Sequence, residues 1–207
     1  AKNICISTDS NNLEDCIYNT LKKYYPKTVI FNNEQVNKNV ITRVTESARN
    51  KVIDSMLFNN VDDFTETSAE GTIRASFRKS LANSSGVIKL IKEKLIKSSG
   101  NKYPVSDLIK TLTESPYGMR KEIIPLFLTK AITELNVEED TSVSAVLLVF
   151  KQKEIEINSS ELSKVINNPN NYYLIYEEID KEKYTLLKQL IKQFDCKETG
   201  NFGVDIK

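Results

Sequence analysis

Residues 120–157 read RKEIIPLFLTKAITELNVEEDTSVSAVLLVFKQKEIEI, and this stretch decides the fold. Apolar residues in 120–135 occupy more than one face of a helix, which predicts a helix that is buried on most sides. Pro125 is compatible with this helix if the helix begins near Lys121, because proline is tolerated in the first turn. Residues 143–150 and 154–157 are two segments of strand type that flank KQK, which predicts a β-hairpin.

The residues before this stretch extend the pattern into a winged-helix-like unit. Helical apolar spacing at 87–97 is followed by 102–105, which predict a short strand. Ser106 is a candidate N-cap for the next short helix, and a tight turn is predicted at 116–118. The order helix, short strand, helix, turn, helix, hairpin is typical of a winged helix, and it spans 84–158.

Helical spacing recurs on both sides of this unit. An exposed acidic loop is predicted at 59–68, and three amphipathic helices at 11–25, 41–56 and 71–81. A helix, a strand and a final helix are predicted at 160–167, 172–179 and 181–194. We therefore predict a mainly α (α+β) protein with three regions, a helical N-terminal region at 1–83, the winged-helix-like domain at 84–158 and a small helix-strand-helix (αβα) extension at 159–207.

Composition excludes several classes of function. Lys plus Arg number 29 and Asp plus Glu 28, so the net charge of +1 gives no global attraction to nucleic acid. The chain has no histidine, which excludes Ser-His-Asp and Cys-His catalysis in their standard forms. Cys5, Cys16 and Cys196 are far apart, so we predict neither a zinc site nor a disulfide framework. Apolar runs are much shorter than the roughly 20 residues of a membrane span. We expect a cytoplasmic protein without membrane contact. The first residue is alanine, which suggests either a piece cut from a longer parent, the interpretation we favour, or a processed start.

A set of short segments between residues 24 and 194 carries a resemblance to a known family. They are SPYGMRKEIIPL at 115–126, a strand at 150–156, EL at 161–162 and NP at 168–169, preceded by YPKT at 25–28, NNE at 32–34, NK at 37–38 and ARNKVID at 48–54. Together they resemble a region outside the ATPase core of very large bacterial P-loop ATPases encoded in phage-defence islands, including those of the BREX type. The chain lacks the G-x-x-x-x-G-K-[ST] loop that binds phosphates, so we expect no ATP hydrolysis by this part.

Basic residues on the predicted third helix and at the hairpin tip suggest contacts with DNA phosphates. The candidates are Arg120, Lys121, Lys130, Lys151 and Lys153. Against this hypothesis, the third helix has the pattern of a buried helix, and acidic residues lie within it and directly after it. Lysines on the helix at 87–97 form a second basic stripe, for which a solvated face is the simpler interpretation. The hypothesis requires that the five candidates share one exposed face away from the acidic run at 138–140.

No catalytic group is predicted. Glu154 and Glu156 on a strand resemble the carboxylate pair of metal-dependent nucleases, but no lysine follows them at the expected spacing. Exposed surface acids are the better interpretation. We therefore predict no catalytic, metal-binding or cofactor-binding residue, no cofactor and no small-molecule substrate. Structural roles are assigned to the predicted turn and to the proline of the third helix, that is, to Pro116, Tyr117, Gly118 and Pro125.

These observations favour a non-catalytic accessory or coupling domain of a larger defence-type ATPase. Such a domain would contact the rest of the parent ATPase or partner subunits through apolar and mixed-charge surfaces. The alternative is a DNA-binding winged-helix domain of the same ATPase. A stand-alone nuclease using Glu154 and Glu156 is a third hypothesis, which metal-dependent cleavage would support.

Overall fold

The computed structural model describes residues 13–38, 40–58, 64–139 and 141–193. Within these ranges the chain forms eight α-helices and one antiparallel five-stranded sheet, so the predicted mainly α (α+β) class is confirmed. The predicted tail, half of the predicted acidic loop and three of the residues named above lie outside the described residues; these are 199–207, 59–63, Cys5, Cys196 and Asp140.

The helices are α1 (Leu13–Tyr24), α2 (Arg43–Leu57), α3 (Ala69–Leu81), α4 (Ser85–Lys97), α5 (Val105–Thr113), α6 (Ile124–Leu135), α7 (Ser159–Asn167) and α8 (Lys181–Gln193). The strands are β1 (Tyr103–Pro104), β2 (Val137–Glu138), β3 (Ser142–Phe150), β4 (Lys153–Ile155) and β5 (Tyr172–Asp180). Two 3₁₀ turns, Lys121–Ile123 and Pro169–Asn171, precede α6 and β5.

Helix starts follow the local side-chain chemistry, with one correction to the prediction. Side-chain oxygens of Thr42, Ser68 and Asn158 accept hydrogen bonds from backbone N–H groups of the first turns of α2, α3 and α7. The prediction that Ser106 caps α5 is wrong, because the helix already begins at Val105 and residue 104 holds the N-cap position. Pro125 lies in the first turn of α6, where its missing N–H costs no intrahelical bond.

The sheet is built around a long antiparallel pair. The strand order is β1-β5-β3-β2, and β4 also pairs with β3. The predicted hairpin is confirmed, since β3 and β4 pair through a two-residue turn in which Lys151 and Gln152 have positive φ values. However, β4 pairs with β3 over three residues only, whereas β5 pairs with it over nine, from Ser142 opposite Asp180 to Phe150 opposite Tyr172. The long partner of β3 is therefore β5, which comes from the predicted C-terminal extension.

Helix α6 lies at the centre of the core. It packs against α2, α4, α7 and β3, and nine of its twelve residues are buried. A single hydrophobic cluster contains Ile53 from the predicted N-terminal region, Phe127 from the central unit and Leu174 from the extension. The predicted order of helix, short strand, helix, turn, helix and hairpin is present as α4, β1, α5, turn, α6, β3 and β4, with the unpredicted two-residue strand β2 inserted between α6 and β3. The winged-helix class and the division at residues 83 and 158 stay predictions.

Candidate functional site

The five basic candidates lie in three separate places of the fold. Arg120 and Lys121 are exposed at the 3₁₀ turn that leads into α6. Lys130 lies nine residues after Lys121 on the same segment, and it is only partly exposed. Lys151 and Lys153 are exposed at the turn between β3 and β4. The structure thus assigns the candidates to the start of a helix, the body of that helix and the tip of a hairpin.

Only three residues of α6 escape burial, namely Lys130, Thr133 and Glu134. The Nζ atom of Lys130 is 3.4 Å from a carboxylate oxygen of Glu134, and the other oxygen accepts a hydrogen bond of 3.0 Å from Lys92 on α4. Partial burial alone would raise the pKa of Glu134, but the two lysines outweigh it, so the pKa lies below its usual value. At neutral pH the exposed part of α6 is thus an ion triad rather than a row of free cations.

A surface groove runs between α4 and α6 at this triad. Its volume is about 440 Å³. It is lined by apolar side chains of Leu81, Ile88 and Ile96 and by charged side chains of Lys89, Lys92, Glu93, Lys130 and Glu134. Ile96 is 46 % exposed, and Lys89 lies 3.9 Å from Glu93. The groove therefore combines an accessible apolar surface with charges that are largely paired.

Two acidic residues, Glu138 and Glu139, follow α6 in the described part of the chain, and Glu138 forms an ion pair. Glu138, on β2, forms an ion pair with Lys181 at the start of α8, and the hydrogen bond from that lysine lowers the pKa of the Glu138 carboxyl. The Lys181 ion pair does not include Glu139, whose backbone N–H donates a hydrogen bond to the carbonyl of Ser142. Two exposed carboxylates thus follow α6 directly.

The predicted turn at 116–118 joins two distant parts of the chain. The Ser115–Pro116 peptide is cis, and Gly118 has a φ of +57°. The backbone N–H of Lys27 donates to the carbonyl of Pro116 at 3.1 Å, and the Thr28 hydroxyl donates to the carbonyl of Tyr117. Tyr117 is buried, as expected of a residue that packs the corner. This turn anchors the chain that follows α1.

Gly118 has little room for a side chain. A Cβ atom at this position would clash with the ring of Tyr25, and the positive φ is one that other residues rarely adopt. Both the backbone conformation and the Tyr25 ring therefore disfavour any other residue at position 118.

A buried arginine network was not predicted from the sequence. Arg49 on α2 is 1 % exposed. Its guanidinium donates to the carboxylate and, at 3.2 Å, to the backbone carbonyl of Glu122, and at 2.9 Å to the hydroxyl of Ser163 on α7. The Ser163 hydroxyl is also 3.0 Å from the side-chain oxygen of Asn50. One guanidinium therefore ties α2, the turn before α6, and α7 together.

The contact between α2 and α7 continues one turn further along both helices. The carboxylate of Asp54 accepts from the backbone N–H of Ser159 at 2.9 Å and from its hydroxyl at 2.7 Å. Because the Arg49 guanidinium and both Asp54 carboxylate oxygens are engaged inside the fold, this network stabilises a helix junction rather than forming an open ligand site.

The nuclease hypothesis gains no metal site from the described residues. Among them, no group of three or more His, Cys, Asp and Glu side chains is placed to hold an ion. Burial, followed by the charge of Glu177, raises the pKa of Glu154, and one of its carboxylate oxygens is buried without a hydrogen-bond partner. Glu156, by contrast, is exposed.

Comparison with known proteins found no matching family model, no matching curated protein and no matching solved structure. In the described part of the chain, none of the helices has the length and apolar character needed to cross a bilayer.

Proposed function

We propose that this chain is a non-catalytic coupling module of a larger protein, which binds another protein segment along the groove between α4 and α6. One observation carries the proposal: α6 reaches the surface only through Lys130, Thr133 and Glu134, and two of these three residues line the groove. Because α2, α4, α7 and β3 all pack on α6, a ligand in the groove contacts the helix that holds the fold together. Any shift of α6 on binding would therefore alter its packing against all four of these elements.

The lining of the groove favours a protein segment over a nucleic acid. Ile96, which is exposed, and Leu81, which is partly exposed, offer apolar surface, which favours the burial of apolar side chains of a ligand. The carboxylate of Glu134 already neutralises part of the charge of Lys92 and Lys130, and it would repel phosphates. The burial of α6 also counts against the alternative of a DNA-binding winged helix, because a recognition helix must expose several side chains to base edges.

The resemblance to large P-loop ATPases of phage-defence islands suggests what the module would couple. In such a protein it would bind a segment of the ATPase itself or of a partner subunit, and pass on changes in their position. This role needs no cofactor, and the module would act through surface contacts alone.

Site-specific photo-crosslinking tests the proposal in the larger protein, expressed in its own cells. We would replace Ile96 in the groove with p-benzoylphenylalanine, and use Val44 at the start of α2, which is 73 % exposed, as the matched control position. We expect the groove position to crosslink to one protein peptide, identified by mass spectrometry, and the control position to give no such product. A crosslink to nucleic acid, or equal crosslinking from both positions, would contradict the proposal.

Fluorescence anisotropy with labelled double- and single-stranded DNA tests the alternative directly. We expect no salt-dependent binding by the folded chain. The alternative predicts instead that the logarithm of the binding constant falls steeply as the logarithm of the salt concentration rises. Such binding, if Lys151→Glu and Lys153→Glu weaken it, would support phosphate contacts at the hairpin tip.

A further inference from the structure

Helix α1 exposes an apolar row along its whole length. Leu13, Ile17 and Leu21 are spaced four residues apart and are 69 %, 50 % and 53 % exposed. Residues at this spacing lie on one face of a helix, one turn above another. Cys16 is the residue of α1 that is buried against the rest of the described chain. The helix is thus anchored by one side while its most apolar side faces outwards.

A second row flanks the apolar one and is antisymmetric in charge. It consists of Glu14, Tyr18 and Lys22, again at four-residue steps, and all three are exposed. The tyrosine ring lies 5.9 Å from the Nζ atom of the lysine. The negative charge therefore sits near the N-terminal end of the row, the positive charge near its C-terminal end, and an aromatic ring between them.

We propose that α1 binds α1 of a second copy of this chain in an antiparallel, two-fold symmetric pair. In an antiparallel pair of helices, equivalent flanks face each other, and residues at equal distances from the centre meet. With the axis between Ile17 and Tyr18, Leu13 of one copy lies near Leu21 of the other. Glu14 of each copy then lies opposite Lys22 of its mate, at both ends of the pair.

A second copy is favoured over other occupants because α1 supplies its own complement. Each helix has a carboxylate where its mate has an ammonium group, so that one orientation alone pairs opposite charges. In a parallel two-fold pair the charged rows of the two copies lie on opposite sides of the contact, so neither end gains a contact between opposite charges. The opposed helix dipoles of an antiparallel pair add to the same preference.

The pair is small, and its affinity is correspondingly weak. A helix of twelve residues is about 18 Å long, so the contact falls well below the roughly 800 Å² per partner of a stable complex. We expect a dissociation constant on the order of 100 µM. The pair would strengthen any larger assembly that holds two copies close together. This inference is independent of the proposed groove ligand.

Charge-swapped variants of the whole chain test the pairing by sedimentation equilibrium. The wild type should associate reversibly to a dimer between about 10 µM and 1 mM, the range around the expected dissociation constant. Glu14→Lys and Lys22→Glu should each weaken self-association at least three-fold. An equimolar mixture of the two variants should dimerise again, because each mixed pair then has opposite charges at both ends.

Two further variants keep the result interpretable. Ile17→Lys should leave a folded monomer by circular dichroism, whereas Val44→Lys, on an exposed site of α2, should dimerise like the wild type. A wild type that stays monomeric to about 1 mM, or single variants that dimerise like the wild type, would overturn the inference. So would a mixture that associates no better than its components. Groove crosslinking from position 96 is unaffected in either case, so that failure of one proposal leaves the other standing.

Discussion

The Arg49–Glu122 pair makes a double-mutant cycle with a predictable asymmetry. Glu122→Leu leaves a guanidinium whose side chain is 2 % exposed without its main counter-ion. Glu46, the other nearby carboxylate, is 3.7 Å away and 39 % exposed, so it compensates only in part. Arg49→Met instead leaves the carboxylate of Glu122, which is 21 % exposed and can be hydrated again. Removing the acid should therefore cost more than removing the base.

The expected magnitudes follow from what each substitution leaves unpaired. A buried charge stranded by loss of its partner costs about 3–5 kcal/mol, which is our expectation for Glu122→Leu. Arg49→Met leaves the backbone carbonyl of Glu122 without its donor and loses hydrogen bonds to a charged group, which costs about 1–3 kcal/mol. The double variant strands no charge, so it should resemble Arg49→Met alone. The coupling free energy should then equal the cost of Glu122→Leu, about 3–5 kcal/mol.

Urea unfolding followed by circular dichroism measures all four free energies of the cycle. The ion pair between Lys51 and Glu70, at 2.7 Å and with the lysine side chain 61 % exposed, is the matched control. Its coupling free energy should stay below about 1 kcal/mol, as for other surface pairs. The reasoning is refuted if Arg49→Met destabilises more than Glu122→Leu does, or if their effects add.

Three further predictions concern a turn, a carboxylate and the core. Gly118→Ala should destabilise by at least about 1 kcal/mol more than Gly100→Ala, because both glycines have positive φ but a Cβ atom meets neighbouring atoms only at 118; urea unfolding of both variants measures this. Glu154 is partly buried near Glu177, and its folded-state pKa is raised above 4.5, so the neutral form fits the fold better. Glu154→Gln should accordingly raise the melting temperature at pH 7, and the gain should vanish as the pH falls below about 4.5; a gain that persists at pH 3 would contradict this. Phe127→Ala, at a fully buried site on α6, should cost about 3–5 kcal/mol in urea unfolding, and a cost below 1 kcal/mol would mean that α6 is not the core.

The burial of α6 followed directly from its sequence, since its apolar residues leave no polar face wide enough for solvent. The pairing of β3 with β5 could not be predicted in the same way. Residues 143–149 are all buried except Ser144, so β3 needed cover on both faces and a long partner. Alternating burial along β5 predicts a strand with one core face, but periodicity carries no information about which strand it pairs with. Hence the sequence predicts that β3 pairs with the nearest strand in a hairpin, which it does over three residues, but it does not predict the nine-residue pairing of β3 with β5.

The candidate sites divide in the same way between local and distant contacts. Lys130 and Glu134 are four residues apart on a helix, so their pairing is readable from the sequence. Lys92 completes the triad from 42 residues away, and only the packing of α4 on α6 brings it there. The sequence gives no sign that Arg49 is buried in a hydrogen-bond network, because its partners Glu122 and Ser163 lie 73 and 114 residues further along the chain.

Several of the short segments on which the expected resemblance to large P-loop ATPases rests meet one another in the structure. YPKT at 25–28 contacts SPYG at 115–118 through two hydrogen bonds and the Tyr25 ring. ARNKVID at 48–54 meets Glu122 and the start of α7 through its arginine, asparagine and aspartate. Polar contacts between distant segments require particular side chains, whereas apolar packing accepts many alternatives. We therefore expect substitutions at these two joints between helices to be tolerated less well than exchanges among apolar residues in the core.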